Sequence, residues 1–426
     1  MVNAAEQRCR AMRDVIAFAA AGAHHIKVNK VPDDWETFFR LAHEHHVVPL
    51  VGCALLNSPE LNCPEQYREY ALNVMRTASS GNLVRKQRVL HFLGELKAVG
   101  INAQVLKGYA AARYYAYPEC RDAGDTDLLI EPCDEKRVNE FLQGKGFQIL
   151  ERSASSYHTI AAHPKYGKLE MHVSLHNEIV EDIWFQDINK SDLVQEKSVT
   201  VEESEGSFET LGDTDHLIFI TLHMIKHFIG SGLTVRMLLD VALYFSHNSA
   251  TIDHQRFWNV IDRLKYTKIV NGVFSLLVRE GGFSSDDFPG MKMEPEAAEA
   301  LVKDLVFGGY MGINETSDRH TAAMIYNRKL ALRGKSEIQY RLYMVFWKLR
   351  SATTYMFPSK QLLERMYPVV KRYPVLNPLY RTYQFVAFPI KKLRSGIVKQ
   401  EIRSNDNASE VVANRRIELF KQLGML

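Results

Sequence analysis

Long apolar runs, paired cysteines, internal repeats and low-complexity tracts are all missing from this chain, and each absence excludes a class of protein. No stretch of about 18 uncharged apolar residues occurs, so no segment is expected to span a membrane. The five cysteines (Cys9, Cys53, Cys63, Cys120 and Cys133) are odd in number, scattered and form no CxxC pair. That pattern argues against a disulfide or zinc framework and for reduced thiols in a cytoplasmic setting. Residues 1–13 are mixed in charge, and the apolar stretch 15–21 lacks a basic leader of the usual kind, so no signal peptide is expected. With no repeat and no biased tract, a solenoid is a poor description, although the polar stretch 404–409 reads as loose. What remains is ordinary: 426 residues, net charge +3, 46% hydrophobic and 24% charged, a globular protein of two or three domains.

Hydrophobic periodicity divides the chain into four regions. Residues 1–98 read as an N-terminal helical region, with apolar residues at three- and four-residue spacing over 4–21, 33–44 and 64–99. Asp33 or Asp34 suits the N-cap before Trp35, and Gly100 suits the end of the third helix. In 99–210 the period changes. Strands are expected at 101–106, 126–130, 147–150, 157–162 and 168–175, with helices at 109–115 and 135–142, giving a small mixed sheet with helices on one side. Residues 211–325 return to helix at 214–229, 233–246, 254–264 and 268–280, with Gly230-Ser231-Gly232 as a hinge and 283–316 as loops. The region 326–426 is basic and aromatic: from Arg328 to Lys399 there are 16 Lys/Arg against only Glu337 and Glu364. A last helix is expected over 411–423. The fold class is α+β, a mixed-sheet core between helical regions.

Three short elements carry chemistry. In Gly124-Asp125-Thr126-Asp127, followed by Leu128-Leu129-Ile130, two carboxylates lie two residues apart at the start of an apolar run. In a strand they project to one face and form a jaw for a divalent cation, although the same four residues also make a good surface turn. Lys107-Gly108 follows the first strand and opens a helix, where a phosphate can meet backbone N–H groups and an ammonium; a plain strand-end turn is the alternative. The stretch 168–176 alternates: Leu169, Met171, Val173 and Leu175 on one face, Glu170, His172, Ser174 and His176 on the other. That fits a solvated sheet face, or a third carboxylate for metal or general-base work.

Taken in order, these elements resemble a known family. Leu106-Lys107-Gly108, Tyr115, Arg121 and Gly124 to Ile130 look like the uncharacterised nucleotidyltransferase branch of the DNA polymerase β-like superfamily. Glu170-Met171-His172 resembles its later Asp-x-His strand, and His223-Met224-Ile225-Lys226-His227, Arg236 and Asp240 resemble its histidine-rich helical segment. The resemblance spans roughly residues 30 to 390. It implies transfer of a nucleoside monophosphate from an NTP to an acceptor with release of pyrophosphate, on Mg²⁺ or alternatively Mn²⁺. Carried over by position, Asp125, Asp127 and Glu170 would be the catalytic metal ligands. Lys107, Gly108 and Gly124 would meet the nucleotide, together with Arg121, His172, His223, Lys226 and His227. The chain departs from the pattern twice: Lys-Gly replaces the common Gly-Ser, and Glu170 replaces an Asp.

Other readings stay open beside this one. Arg121 equally suits a salt bridge to Asp122 or Glu119. His216, His223 and His227 share a helix face that would line a cleft, or are satisfied core histidines; zinc lacks a third ligand there. Arg236 and Asp240 have the spacing of a structural ion pair. The same metal jaw would serve phosphoryl or glycosyl-phosphate transfer. The segment Arg328 to Lys399 suits an anionic partner, RNA or a membrane surface, in which case the core would be non-catalytic. The acceptor, whether small molecule, sugar, peptide, protein or RNA, is not named by the sequence.

Overall fold

The computed structural model describes residues 4–152, 158–175, 193–230, 232–307, 369–370, 373–383 and 407–426. The chain divides into two compact units, Met1–Thr316 with Leu419–Met425, and Ser317–Glu418 with Leu426. In the second unit, a 3-10 turn at Pro374–Leu376 leads into helical residues 377–383. Most of the basic aromatic stretch, including the apolar-basic run 385–392, lies outside the described residues, as do His176 and Ser231. Among the described residues no helix is long and apolar enough to cross a membrane.

The first unit opens with helices α1 (Ala4–His24), α2 (Trp35–Glu44), α3 (Val48–Asn57) and α4 (Glu65–Ala98). Asp34 caps α2, its carboxylate accepting the Thr37 N–H at 3.1 Å. Gly100 takes the left-handed conformation (φ +73°) that lets the chain leave α4. Helix α3 has no polar face. Eight of its ten residues are buried, so periodicity gave no sign of it. It packs so closely on α1 that a Cβ at Gly22 would overlap the Leu50 carbonyl.

Then follow β1 (Ala103–Leu106), α5 (Gly108–Ala112), β2 (Thr126–Ile130), α6 (Glu135–Gly144), β3 (Gln148–Arg152), β4 (His158–His163) and β5 (Gly167–His172). A hairpin of β6 (Val199–Glu203) and β7 (Gly206–Thr210) completes one seven-stranded sheet in the order β3-β4-β5-β2-β1-β7-β6. Five strands were expected; the hairpin is the addition. Its strands are short and rich in Glu, Ser and Thr, which dilutes the apolar alternation. Strand β5 ends at His172, short of the expected Leu175.

Alternation along the strands separates the two faces. Val105, Leu128, Ile130, Ala161, Leu169 and Met171 point into a core closed by Phe92 and Leu96 of α4 and Val138 and Leu142 of α6. The opposite face carries Asp127, Glu170 and His172 toward helices α7 (Asp213–Gly230) and α8 (Val235–His247). Helices therefore flank both faces, not one: α7 is amphipathic enough to cover the polar face while burying its own apolar sides. Helices α9 (His254–Arg263), α10 (Thr267–Glu280) and α11 (Pro295–Phe307) follow, so the expected loop 283–316 contains a helix. Within this unit's C-terminal segment 419–425, Phe420 meets Phe228 edge-on, ring centroids 5.4 Å apart; a terminal helix spans Asn407–Gln422.

Two glycine replacements are expected to move stability in opposite directions. Gly22→Ala meets fixed backbone, and overpacking of this kind costs about 1–3 kcal/mol or more. Gly81→Ala, in the interior of α4 with nothing within 4 Å of the new Cβ, is expected to stabilise by roughly 0.5–1 kcal/mol. Urea denaturation midpoints of the two variants check both signs.

Candidate active site

Strand register sets a row of groups across the sheet. Leu106 at the end of β1 pairs with Asp127 of β2, and Asp127 pairs with Glu170 of β5. The residue after β1 is Lys107, so an ammonium and two carboxylates stand side by side on adjacent strands. Asp127, Glu170 and His172 each offer a ligand atom, and these atoms lie within 4.8 Å of one another. Asp125 sits just before β2, with its side chain 40% exposed, and is outside that tightest set. It is joined to it by Lys168, whose Nζ lies 2.7 Å from Glu170 Oε1 and 3.6 Å from Asp125 Oδ2.

Asp127 is nearly inaccessible, at 3% exposed. A buried carboxylate is costly unless donors replace the lost water. Here Lys107 Nζ lies 2.7 Å from Oδ1 and His172 Nε2 lies 3.0 Å from the same oxygen. Burial alone would raise the Asp127 pKa; the Lys107 charge and the His172 hydrogen bond outweigh it and hold the carboxyl well below the usual range. An ionised carboxylate only accepts, so the His172 nitrogen facing it carries the proton. In that state His172 Nε2 orients Asp127 and is not itself a ligand atom. Burial, then the charges of Asp127 and Glu170, push the Asp125 carboxyl up. Burial and Asp127 oppose ionisation of Glu170 too, but Lys168 and Lys107 bring it below its usual value.

Lys107 is held in an unusual backbone conformation, φ +47°, ψ −132°. Non-glycine residues rarely stay there unless the surroundings over-determine them. Its N–H donates to His216 Nε2 at 3.2 Å. His216 Nδ1 lies 3.3 Å from Thr210 Oγ1, and that hydroxyl donates to the Val105 carbonyl at 2.7 Å. With the Thr proton committed, His216 carries its own on Nδ1, leaving Nε2 as acceptor. Thus His216, which is fully buried and absent from the cleft wall, fixes Lys107 from behind. Of the three-histidine face, His223 and His227 do reach the cleft. His223 Nε2 lies 3.4 Å from Lys107 Nζ, and the His223 and His227 rings meet edge to face at 4.5 Å. Burial keeps both neutral, His227 down to about 3. The helix after Lys107 is only five residues long, and a Cβ at Gly108 would sit 4.0 Å from the Asp125 carbonyl.

Arg121 is neither exposed nor paired with Asp122 or Glu119 side chains. Its guanidinium grips Asp240 with two bonds, Nε to Oδ1 at 2.9 Å and Nη2 to Oδ2 at 2.7 Å. The Tyr115 hydroxyl adds a third to Asp240 at 2.7 Å. Burial would lower the Arg121 pKa, and the Asp240 charge more than reverses that. Arg236 does not take Asp240 as the helical spacing suggested; it donates to the Asp122 carbonyl at 2.6 Å. Both arginines thereby fasten α8 to the loop that presents Gly124 and Asp125.

A cleft of about 310 Å³ lies over these groups. Lys107, Asp125, Asp127, Lys168 and Glu170 form its charged floor, with Gly108, Gly124, Arg121 and His172 beside them. His223, Lys226 and His227 of α7 form one wall, and Phe219, Met237 and Val241 supply an apolar one. Sequence reasoning missed Lys168. The alternation that puts Glu170 and His172 on one face puts Lys168 there as well, and that was the available sign.

A mixed sheet that presents carboxylates from its central strands into a helix-walled cleft is the arrangement of the nucleotidyltransferase class. The chain belongs to the family described as uncharacterised nucleotidyltransferase, whose profile matches residues 32–279. That span contains every charged group of the cleft floor and ends before the basic aromatic segment. No curated protein matches the sequence. Among solved structures, an antigenic nucleotidyltransferase-like protein from Paracoccidioides brasiliensis is 13% identical, with 52% of this chain and 96% of that one covered at a TM-score of 0.30.

Two outcomes follow from this geometry. Asp240→Ala strands a buried guanidinium and is expected to cost about 3–5 kcal/mol in unfolding free energy. His216 and His45 are both fully buried, and burial lowers their pKa values to about 3 and about 4. Unfolded histidine, near 6.5, protonates first, so stability is full above about pH 6.5 and falls as pH drops toward those values. The expected slope is about 1.4 kcal/mol per pH unit for each histidine within its window, measured by denaturant unfolding at stepped pH; a flat profile between pH 6.5 and 4.5 would contradict it.

Proposed function

We propose that this protein is a divalent-metal-dependent nucleotidyltransferase that moves a nucleoside monophosphate from an NTP to a hydroxyl or phosphate acceptor and releases pyrophosphate. The observation that carries the reading is the direct register of Asp127 and Glu170 on parallel neighbouring strands, with Asp125 at the rim and Lys107 against Asp127. In this reading residues 99–210 are the catalytic core, and of the expected helical domain 211–325 the helices α7 and α8 wall the cleft.

The donor set fits a hard cation. Asp127 and Glu170 supply oxygens from adjacent strands and Asp125 supplies another at the opening, the chemistry preferred by Mg²⁺, with Mn²⁺ as the alternative. When bound, such a cation neutralises phosphate oxygens and the developing charge on the leaving pyrophosphate. The chain's own groups do the rest. Lys107 and the α7 residues Lys226 and His227 face the space a triphosphate would fill. Glu170, ionised and beside the rim, is placed to accept the acceptor's proton. The apolar wall at Phe219 and Met237 suits a base or ribose, and a volume of about 310 Å³ suits one nucleotide.

The test uses NTP labelled at the α- or γ-phosphate, Mg²⁺, and acceptor pools of small molecules, sugars, peptides, proteins and RNA. Label from the α-position is expected in an acceptor, with Asp127→Asn lowering the rate by about 10²–10³-fold. Transfer of γ-label instead would make the protein a phosphotransferase on this fold. Equal rates for wild type and Asp127→Asn would sink both.

A further inference from the structure

Two ammonium groups already neutralise the carboxylates that a metal would need. Lys107 lies against Asp127, and Lys168 lies against Glu170 and, more loosely, Asp125. Each carboxylate of the floor thus has a lysine as counter-ion. The two lysines differ in how they are held. Lys107 is 16% exposed, pinned through its backbone to His216 and close to His223. Lys168 is 41% exposed: its backbone is paired in the β4–β5 ladder, but its long side chain stands at the edge of the cleft, where it meets Glu170 and Asp125.

Resting on the nucleotidyltransferase reading, we infer that Lys168 is a displaceable resident cation: it occupies the Asp125–Glu170 carboxylates until metal and nucleotide arrive together, then turns to the nucleotide's phosphates. A dication and an ammonium compete for the same oxygens, so metal alone must break the Lys168 pairs and leave that charge in the cleft without a partner. A polyphosphate supplies the missing partner. Binding of metal and of nucleotide is therefore coupled, and coupling is reciprocal: each tightens the other by the same factor. Lys168 is a specificity-determining residue in this scheme. It disfavours a bare metal ion and favours a metal–polyphosphate pair.

The test is Mn²⁺ binding to the full chain, followed by electron paramagnetic resonance, with and without α,β-methylene ATP. In wild type the analogue is expected to tighten Mn²⁺ binding. Lys168→Met should bind Mn²⁺ alone more tightly than wild type, on the order of fivefold or more, and should lose much of the analogue's enhancement. Lys168→Arg, which keeps the charge, should behave as wild type. If Asp127→Asn abolishes Mn²⁺ binding but Lys168→Met matches wild type with and without the analogue, the resident-cation role is wrong and the metal site stands. If neither wild type nor Lys168→Met binds Mn²⁺ even with the analogue, the nucleotidyltransferase reading fails, and this inference with it.

Discussion

The Asp127 carboxylate is the constraint from which the site follows. It is removed from water at the centre of a sheet, and a lone ionised group there is tolerated only with strong donors. Lys107 and His172 supply them, and each is fixed in turn. His172 rides on β5, two residues past Glu170, while Lys107 is forced into a left-handed backbone by the end of β1 and by His216 behind it. The Thr210–Val105 bond then links that histidine to the neighbouring strands β7 and β1. A charge that must be buried thereby dictates the position of two strands, one strained residue and the start of α7.

A second set of bonds serves the exposed half of the site. Arg121 and Tyr115 meet at Asp240, and Arg236 reaches the Asp122 carbonyl. Arg121, Arg236 and Asp240 line the same cleft, but these bonds run between α8 and the loop and not to the floor carboxylates. They hold the loop carrying Asp125 against α8, so that a residue outside any strand still faces the cleft. Rigid positioning of this kind lets one carboxylate remain accessible while its partner two residues away stays dry.

Much of this was legible in the sequence because charge and period agree. The strand at 126–130 was read with its bounds, and the alternation around Glu170 assigned Leu169 and Met171 to the core face. Lys107, Asp127 and Glu170 were singled out and do stand in one row. Two of the elements that escaped detection lacked a periodic sign, and the third, α11, has helical spacing at Ala298, Leu301, Val302 and Leu305 but was passed over. Helix α3 is apolar all round; the β6–β7 hairpin is short and acidic; α11 hides in a stretch bearing Gly and Pro. Pairing was also misjudged where spacing suggested a local partner. Asp240 is four residues from Arg236 but takes Arg121, because a buried bidentate contact across the fold outcompetes an i,i+4 contact on a helix surface. His216, read as either cleft-lining or a satisfied core histidine, is the second, turned inward to accept from a backbone amide. No single-sequence pattern distinguishes those two fates.

The parallel pairing of β2 with β5 has a consequence for how the protein is made. Asp127 can meet Glu170 only once the intervening β3 and β4 have been made, and the acceptor of the Lys107 N–H lies 109 residues further along the chain. During synthesis the N-terminal helices and β1 leave the ribosome well before α7 exists, so Asp127 and the strained turn at Lys107 must wait without half of their partners. Non-local closure of this kind slows folding and leaves polar strand edges open meanwhile. The active centre therefore cannot be completed before residue 216 has been made, and a truncated or stalled chain ending earlier carries the carboxylates without the histidine that locks Lys107 beside them.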